Sequence, residues 1–355
     1  MAINTFSGGN FINSLEAAGK NKIINGDFSI NQRQFTSTTA NGTYGFDRWQ
    51  LVTGGTGGTT TYSTQTFTLG TAPVAGYEGS TFARLVTASF TGTNTLVQLD
   101  QKIENVRNFA GQTVTVSFWA KAASGTPKVL PYLAQGFGSG GSPSSDVFAA
   151  PTAAQTITTS WARYSFNVSI PSISGKTIGT TANTSYLSVR LLISAGSDFS
   201  TPYNTVGVQN NTFDFWGVQI ESGSTATAFQ TATGTIQGEL AACQRYYVRY
   251  NAEAAYTQFG TATPATSGTT VYVAFPLAVP MRVAPTVLDY IASYASLRVQ
   301  DGTNFTQVTG LSINNSTSNL VKLNTTVASG LTQYRPYFLI SDNSTSPYIG
   351  FGAEL

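Results

Sequence analysis

The chain of 355 residues contains no histidine and one cysteine, Cys243. Without histidine there is no Ser-His-Asp triad, no Cys-His pair and no histidine-based zinc site, and the side chain that ordinarily titrates near neutral pH is missing. A single cysteine excludes an internal disulfide. Charge is also scarce: Asp, Glu, Lys and Arg make up 10% of the residues and leave a net charge of +2. Phosphate binding needs clustered Lys and Arg, so nucleic acid is not an expected partner. No apolar run approaches the ~18 residues that a membrane-spanning helix requires, so no membrane insertion is expected. The opening MAINTFSGGNFINSLEAAGKNK lacks a basic start followed by an apolar core, the pattern of a signal peptide.

Polarity is carried instead by Thr, Ser, Asn and Gly, which suit strands and turns. Period-two alternation is clear in VTVSFWAKA, where Val114, Val116, Phe118 and Ala120 share a face opposite Thr115, Ser117, Trp119 and Lys121. It recurs in ARYSFNVSI (Tyr164, Phe166, Val168, Ile170), in YLSVRLLIS (Leu187, Val189, Leu191, Ile193, with Arg190 opposite) and in TVYVAFPLAV (Val271 to Val279). Such strands form antiparallel sheets with one buried face. The expected fold is all-β: an N-terminal jelly-roll β-sandwich, a short helical joint and a small C-terminal β-sandwich. Residues 1–20 are an N-terminal arm, 21–232 the jelly roll, 233–250 the joint and 251–355 the second β domain. Within the joint, Leu240, Cys243 and Tyr247 fall at helical spacing and predict one buried stripe.

An aromatic ring exposed on a sandwich face can stack on the apolar face of a sugar. Trp119, Tyr132 and Trp161 are the candidate glycan contacts, the alternative being that they plug a core edge or a subunit interface. Arg245, Tyr246 and Tyr247 in the joint are candidate subunit contacts, because Tyr and Arg are enriched in such surfaces. A hydrolase would have to work with carboxylates alone, and Glu78, Asp100, Glu104 and Asp146 show no spacing that pairs them. No enzyme is expected, and Asp47-Arg48-Trp49 is read as a buried ion pair supporting a core tryptophan.

Two resemblances extend this. The strands NGDF, VSFWAKA, WARYSFNV and FDFWGVQIE resemble those of carbohydrate-binding-module jelly rolls. That resemblance implies a glycan ligand and a structural calcium, for which Asp27 and Asp214, with Glu221, are the matching positions. Asp214 is followed by Phe215, where those modules carry a second carboxylate. In the same order along the chain, NKIINGDFSINQR, YGFDRWQ, GSTATAFQ, GELAACQRYY, VPMRVAPTV and a terminal AEL resemble bacteriophage tail-fibre and virion-appendage proteins. This implies a structural virion protein, made in the host cytoplasm and assembled with other virion proteins. It further implies a homo-oligomer, most simply a trimer, that attaches to a host-surface glycan. The alternatives are a capsid decoration or horn-type appendage and a polysaccharide depolymerase.

Overall fold

The computed structural model describes residues 19–291 and 293–355, so most of the expected arm lies outside the described residues. The chain divides into two compact units, one running to Leu240 and including Leu355, the other Ala241–Glu354.

The first unit is a jelly roll of two antiparallel sheets. One sheet is ordered β1 (Ser37–Thr38), β3 (Thr59–Thr66), β4 (Thr81–Ala88), β12 (Thr212–Ser222), β6 (Thr113–Ala122) and β10 (Ala162–Ser169). The other runs β2 (Gln50–Gly54), β5 (Leu96–Glu104), β11 (Tyr186–Ala195), β7 (Lys128–Gly136) and β8 (Val147–Ala149), with β9 (Gln155–Thr156) also on β7. The alternating residues meet between the sheets as expected: Val114, Val116 and Phe118 from one, Leu187, Val189 and Leu191 from the other, all fully buried. Trp49 lies in the same core, its ring 5.2 Å from that of Phe28. Its neighbour Asp47 ion-pairs with Arg33 at 3.4 Å, while Arg48 donates to the carbonyl of Lys102.

The stretch NKIINGDFSINQR, expected as the opening strand, is a run of turns and extended segments, and the first strand is β1. Side chains rather than a ladder satisfy its backbone. Gln101 Nε2 donates to Ile24 O and its Oε1 accepts from Ile24 N, both at 2.8 Å, and Asn25 Oδ1 accepts from Ile30 N at 2.9 Å. Asn and Gln compete in this way with sheet hydrogen bonding. Gly26 is required sterically: a Cβ there would lie 2.2 Å from the carbonyl oxygen of Val218.

Helix α1 (Ile236–Gln244) follows, its first turn capped by Thr235, whose Oγ1 accepts from Gly238 N at 3.1 Å. The helix stops at Gln244, and Tyr247 opens the next strand, β13 (Tyr247–Asn251), so the expected Leu240–Cys243–Tyr247 stripe is broken. Cys243 is buried, whereas Leu240 is exposed.

The expected small C-terminal sandwich takes a different form. Strands β14 (Gln258–Ala262), β15 (Thr270–Pro276), β19 (Leu320–Val327), β18 (Phe305–Ile313), β17 (Leu297–Gln300) and β20 (Phe338–Ser341) close into a barrel. Strand β13 instead pairs with β21 (Tyr348–Gly352), which pairs with β16 (Val287–Tyr290), as a separate three-stranded sheet. Closure removes the free edges that two short sheets would leave. One core serves both, with Val271, Val273 and Phe275 packed with Ile349 and Phe351. The TVYVAFPLAV strand ends at Pro276, which lacks the N–H to continue the ladder.

Candidate functional site

The second sheet of the jelly roll has one face in the core and one turned away from it. Strand register assembles the outer face row by row. Gln50 pairs with Asp100, Asp100 with Arg190 and Arg190 with Tyr132, so four side chains from β2, β5, β11 and β7 stand side by side. The adjacent row runs Lys102, Ser188, Ala134 and Phe148, the last from β8. The loop after β11 places Phe199 and Tyr203 beside them, and these two with Tyr132, Phe148 and Arg190 border a cleft of about 450 Å³. Tyr132 and Tyr203 meet edge to face, 4.9 Å apart at 67°, and Phe148 lies 6.4 Å from Tyr132 and is 50% exposed.

A closed polar circuit underlies these rings. Arg190 Nη1 donates to Tyr132 Oη at 3.3 Å, and Tyr132 donates to Gln98 Oε1 at 2.6 Å. Gln98 Nε2 donates to Asp100 Oδ2 at 3.1 Å, and that oxygen lies 3.4 Å from Arg190 Nε. Burial pushes the Asp100 carboxyl up to about 7, against the pull of Arg190, Gln98 and Lys102. Burial also raises the Tyr132 phenol and lowers the Lys102 ammonium. Apolar ring faces beside fixed donors and acceptors form a surface suited to a polyhydroxylated ring.

Tyr132 is thus the one predicted glycan contact that stands in this cleft, although it is only 5% exposed. Trp119 lies on the opposite sheet, and Trp161 immediately precedes β10 at that sheet's edge. Trp119 faces Trp216 across the β6–β12 pair, and the Arg163 guanidinium covers it at 4.7 Å. Trp161 packs on Phe67 and Phe82 at 5.5 and 5.3 Å. These rings, with Phe229 and Tyr77, close a satellite aromatic core rather than an open platform. Phe148, Arg190 and Tyr203 were not singled out from sequence. The available signal was a lone charge inside an apolar strand, Arg190 in YLSVRLLIS.

The two positions matched to calcium have other partners. Register sets Asp214 between Arg84 on β4 and Lys121 on β6. Arg84 takes both its oxygens, at 2.7 and 2.8 Å, and Lys121 stands 3.6 Å away. Asp27 accepts from Ser29 Oγ at 3.0 Å and from the Tyr77 hydroxyl at 2.7 Å. Glu221 accepts from Thr227 and pairs with Lys20 at 3.1 Å. Among the described residues, no three His, Cys, Asp or Glu side chains gather as a metal site. Of the residues considered for subunit contact, Tyr246 and Tyr247 are buried within the chain, at 3% and 2% exposure. Tyr247 donates to Asp289 Oδ2 at 2.6 Å, and the Arg245 carbonyl accepts from Arg282 N at 2.8 Å. A surface contact through those two rings would require them to leave the interior. Of the scattered carboxylates only Asp100 belongs to the circuit; Glu78 accepts from Gly70 N in a loop.

No protein-family model and no curated protein matches this chain. Among solved structures it is similar to a CBM4 structure, at 19% identity and a TM-score of 0.29, over 56% of this chain and 98% of that one. It is similar to the CBM22-1 xylan-binding domain of Xyn10C from Paenibacillus barcinonensis, at 13% identity and a TM-score of 0.30, over 59% and 98%. It is also similar to the family 11 carbohydrate-binding module of a cellulosomal cellulase of Clostridium thermocellum, at 11% identity and a TM-score of 0.28, over 54% and 98%. Likenesses this low carry no argument about ligand. No helix among the described residues is long and apolar enough to cross a membrane.

Proposed function

We propose that the first unit is a non-catalytic glycan-binding module, and that the chain displays it as a homo-oligomeric subunit of a bacteriophage virion appendage. The observation that carries the binding reading is the cleft, where Phe148, Tyr132 and Tyr203 stand over the Arg190–Tyr132–Gln98–Asp100 circuit. Ring faces supply area for stacking, and the circuit supplies fixed polar partners that orient a saccharide. A non-catalytic role is supported by what occupies the carboxylates. Asp100 is engaged by Arg190 and Gln98, so it is not a free pair with a second acid across the cleft.

The appendage role rests on the ordered motifs from NGDF to AEL. Repetition in a symmetric assembly, most simply a trimer, would convert weak single-site binding into tight attachment. Isothermal titration of the purified chain with a panel of oligosaccharides, repeated on Tyr203→Ala, tests the binding role. Saturable heat that the substitution abolishes supports it; heat that the substitution leaves unchanged removes the cleft from consideration. Light scattering of the same sample tests the oligomer, and locating the subunit on purified particles by electron microscopy separates a tail position from a capsid one.

A further inference from the structure

Arg84–Asp214 and Arg190–Asp100, two of the first unit's pairs of an arginine with a buried aspartate, differ in geometry. Arg84 grips Asp214 with Nε and Nη2, at 2.7 and 2.8 Å, as a two-pronged fork. Arg190 does not grip Asp100 in this way. Its Nε donates to Ser188 Oγ at 3.1 Å and reaches Asp100 Oδ2 only at 3.4 Å, and one Nη1 hydrogen goes to Tyr132. Its Nη2 amino group has no protein partner among the described residues, and it is not a buried orphan. Arg190 borders the cleft, is 17% exposed, and lies 5.4 and 5.7 Å from the ring centroids of Tyr132 and Phe148. The other half of the pair is also incomplete, since Asp100 Oδ1 is buried with no hydrogen-bond partner.

A guanidinium with unused donors, held between two rings on a cleft wall, presents a planar fork to whatever stacks there. The anion that matches it is a carboxylate, which two parallel N–H bonds can grip. Resting on the glycan reading above, we infer that the cleft selects a sugar carrying a carboxylate, gripped by the Arg190 fork while its ring lies against Tyr203 and Phe148. The shared chemistry is the carboxylate, whether of a hexuronic acid or of a sialic acid.

The surrounding charges fit this assignment. Around Asp100 stand Arg190 and Tyr186 on β11, Gln98 and Lys102 on its own strand, Gln50 on β2 and, behind Arg190, Tyr132 on β7. Two of these are cations, and a second carboxylate, Asp146, acts on Lys102 and Tyr186 and accepts from the Tyr186 hydroxyl at 3.4 Å. Asp198 also borders the cleft but is exposed, where water and salt screen it. Asp100 takes up a proton as pH falls through about 7, and Arg190 then loses its internal competitor. Affinity for a carboxylate ligand should therefore rise toward pH 6 and weaken toward pH 8.

The test titrates the full chain with oligogalacturonate, with its methyl ester, with a neutral galactose oligomer and with oligosialate. The methyl ester removes the charge without altering the protein. The inferred result is that an acid binds at least about tenfold more tightly than the ester, a difference of about 1.4 kcal/mol. That advantage should shrink from pH 6 to pH 8 and vanish in Arg190→Met, while Arg190→Lys, which keeps charge but not the fork, retains only part of it. Preference for one acid over the other identifies the source of the carboxylate. If acid, ester and neutral sugar bind alike and Tyr203→Ala still abolishes binding, the glycan reading stands and this inference falls. Acid binding that Tyr203→Ala leaves undiminished is charge attraction alone and also overturns it. If none of the four binds, both the inference and the glycan reading fall.

Discussion

The backbone N–H of Asn25 donates to Oε2 of Glu239 at 2.7 Å, joining residues 214 positions apart in the chain. Glu239 is 1% exposed, and its other oxygen accepts from Thr233 N and Thr233 Oγ1 at 2.7 and 2.9 Å. Asn25 in turn donates from Nδ2 to the carbonyls of Ile30 and Asp47, and its own carbonyl accepts from Trp49 Nε1 at 2.9 Å. Three of the stretches that carry the virion-protein resemblance, NGDFSINQR, YGFDRWQ and GELAACQ, therefore meet at one residue. These motifs specify a folding node, and the cleft is built elsewhere.

Glu239→Ala should strip three donors of their acceptor at once, the buried Asn25 N–H among them. Each lost bond to a charged acceptor costs about 1.5–3 kcal/mol, so a loss of at least about 3 kcal/mol is expected. Urea denaturation of the first unit's transition measures it, and Gly26→Ala should be comparably damaging because its Cβ meets the Val218 carbonyl. Unchanged midpoints would show that the node carries no stability.

Exposed Phe148 and half-buried Tyr203 can be removed with little effect on the core. Phe148→Ala and Tyr203→Ala should each weaken saccharide binding about tenfold or more, with small shifts in Tm. Trp216→Ala is the opposite case. That ring is fully buried among Trp119, Phe229 and Tyr77, so the change should cost about 3–5 kcal/mol. Trp119→Ala, on the sheet away from the cleft, should leave binding in the surviving folded protein unchanged.

Asp100 predicts a pH dependence of stability. Its carboxyl ionises at an ordinary 3.8 in the unfolded chain and at about 7 in the fold. Between these values the native state holds a proton that the unfolded state has released. The contribution is therefore fully present below about 3.8 and is lost as pH rises to about 7, with a slope of at most about 1.4 kcal/mol per pH unit. Asp100→Asn should remove this slope. The measurement is the difference in unfolding free energy between wild type and variant from pH 4 to 8; a constant difference would contradict it.

Asp214 spends both oxygens on Arg84. A cation there would have to displace a bidentate guanidinium, so adding a chelator should not move the melting transition. Asp214→Asn, in contrast, should cost about 2 kcal/mol through the weakened pair. A Tm that drops with chelator and recovers with calcium would overturn this assignment.

Much of the fold was legible because it depends on periodicity. Alternation in VTVSFWAKA, ARYSFNVSI and YLSVRLLIS identified the residues that now form the core between the two sheets. The opening NGDF stretch reads as a strand but does not form one, because Gln101, Asp47 and Glu239, distant in sequence, take the backbone groups around it that a ladder would use. Alternation also placed Trp119 on the face away from the core. It could not show that the segment carrying Phe229 would fold over that face and bury it further.

The amino-acid order by itself determined that this chain builds antiparallel sheets, lacks histidine chemistry and has no disulfide, because side-chain type and period two are local properties. Only the tertiary structure decided which residues became a site. Gln50, Asp100, Arg190 and Tyr132 share a row because strand register aligned four separate strands. Register depends on how every strand meets its neighbours, and no single strand's sequence contains it.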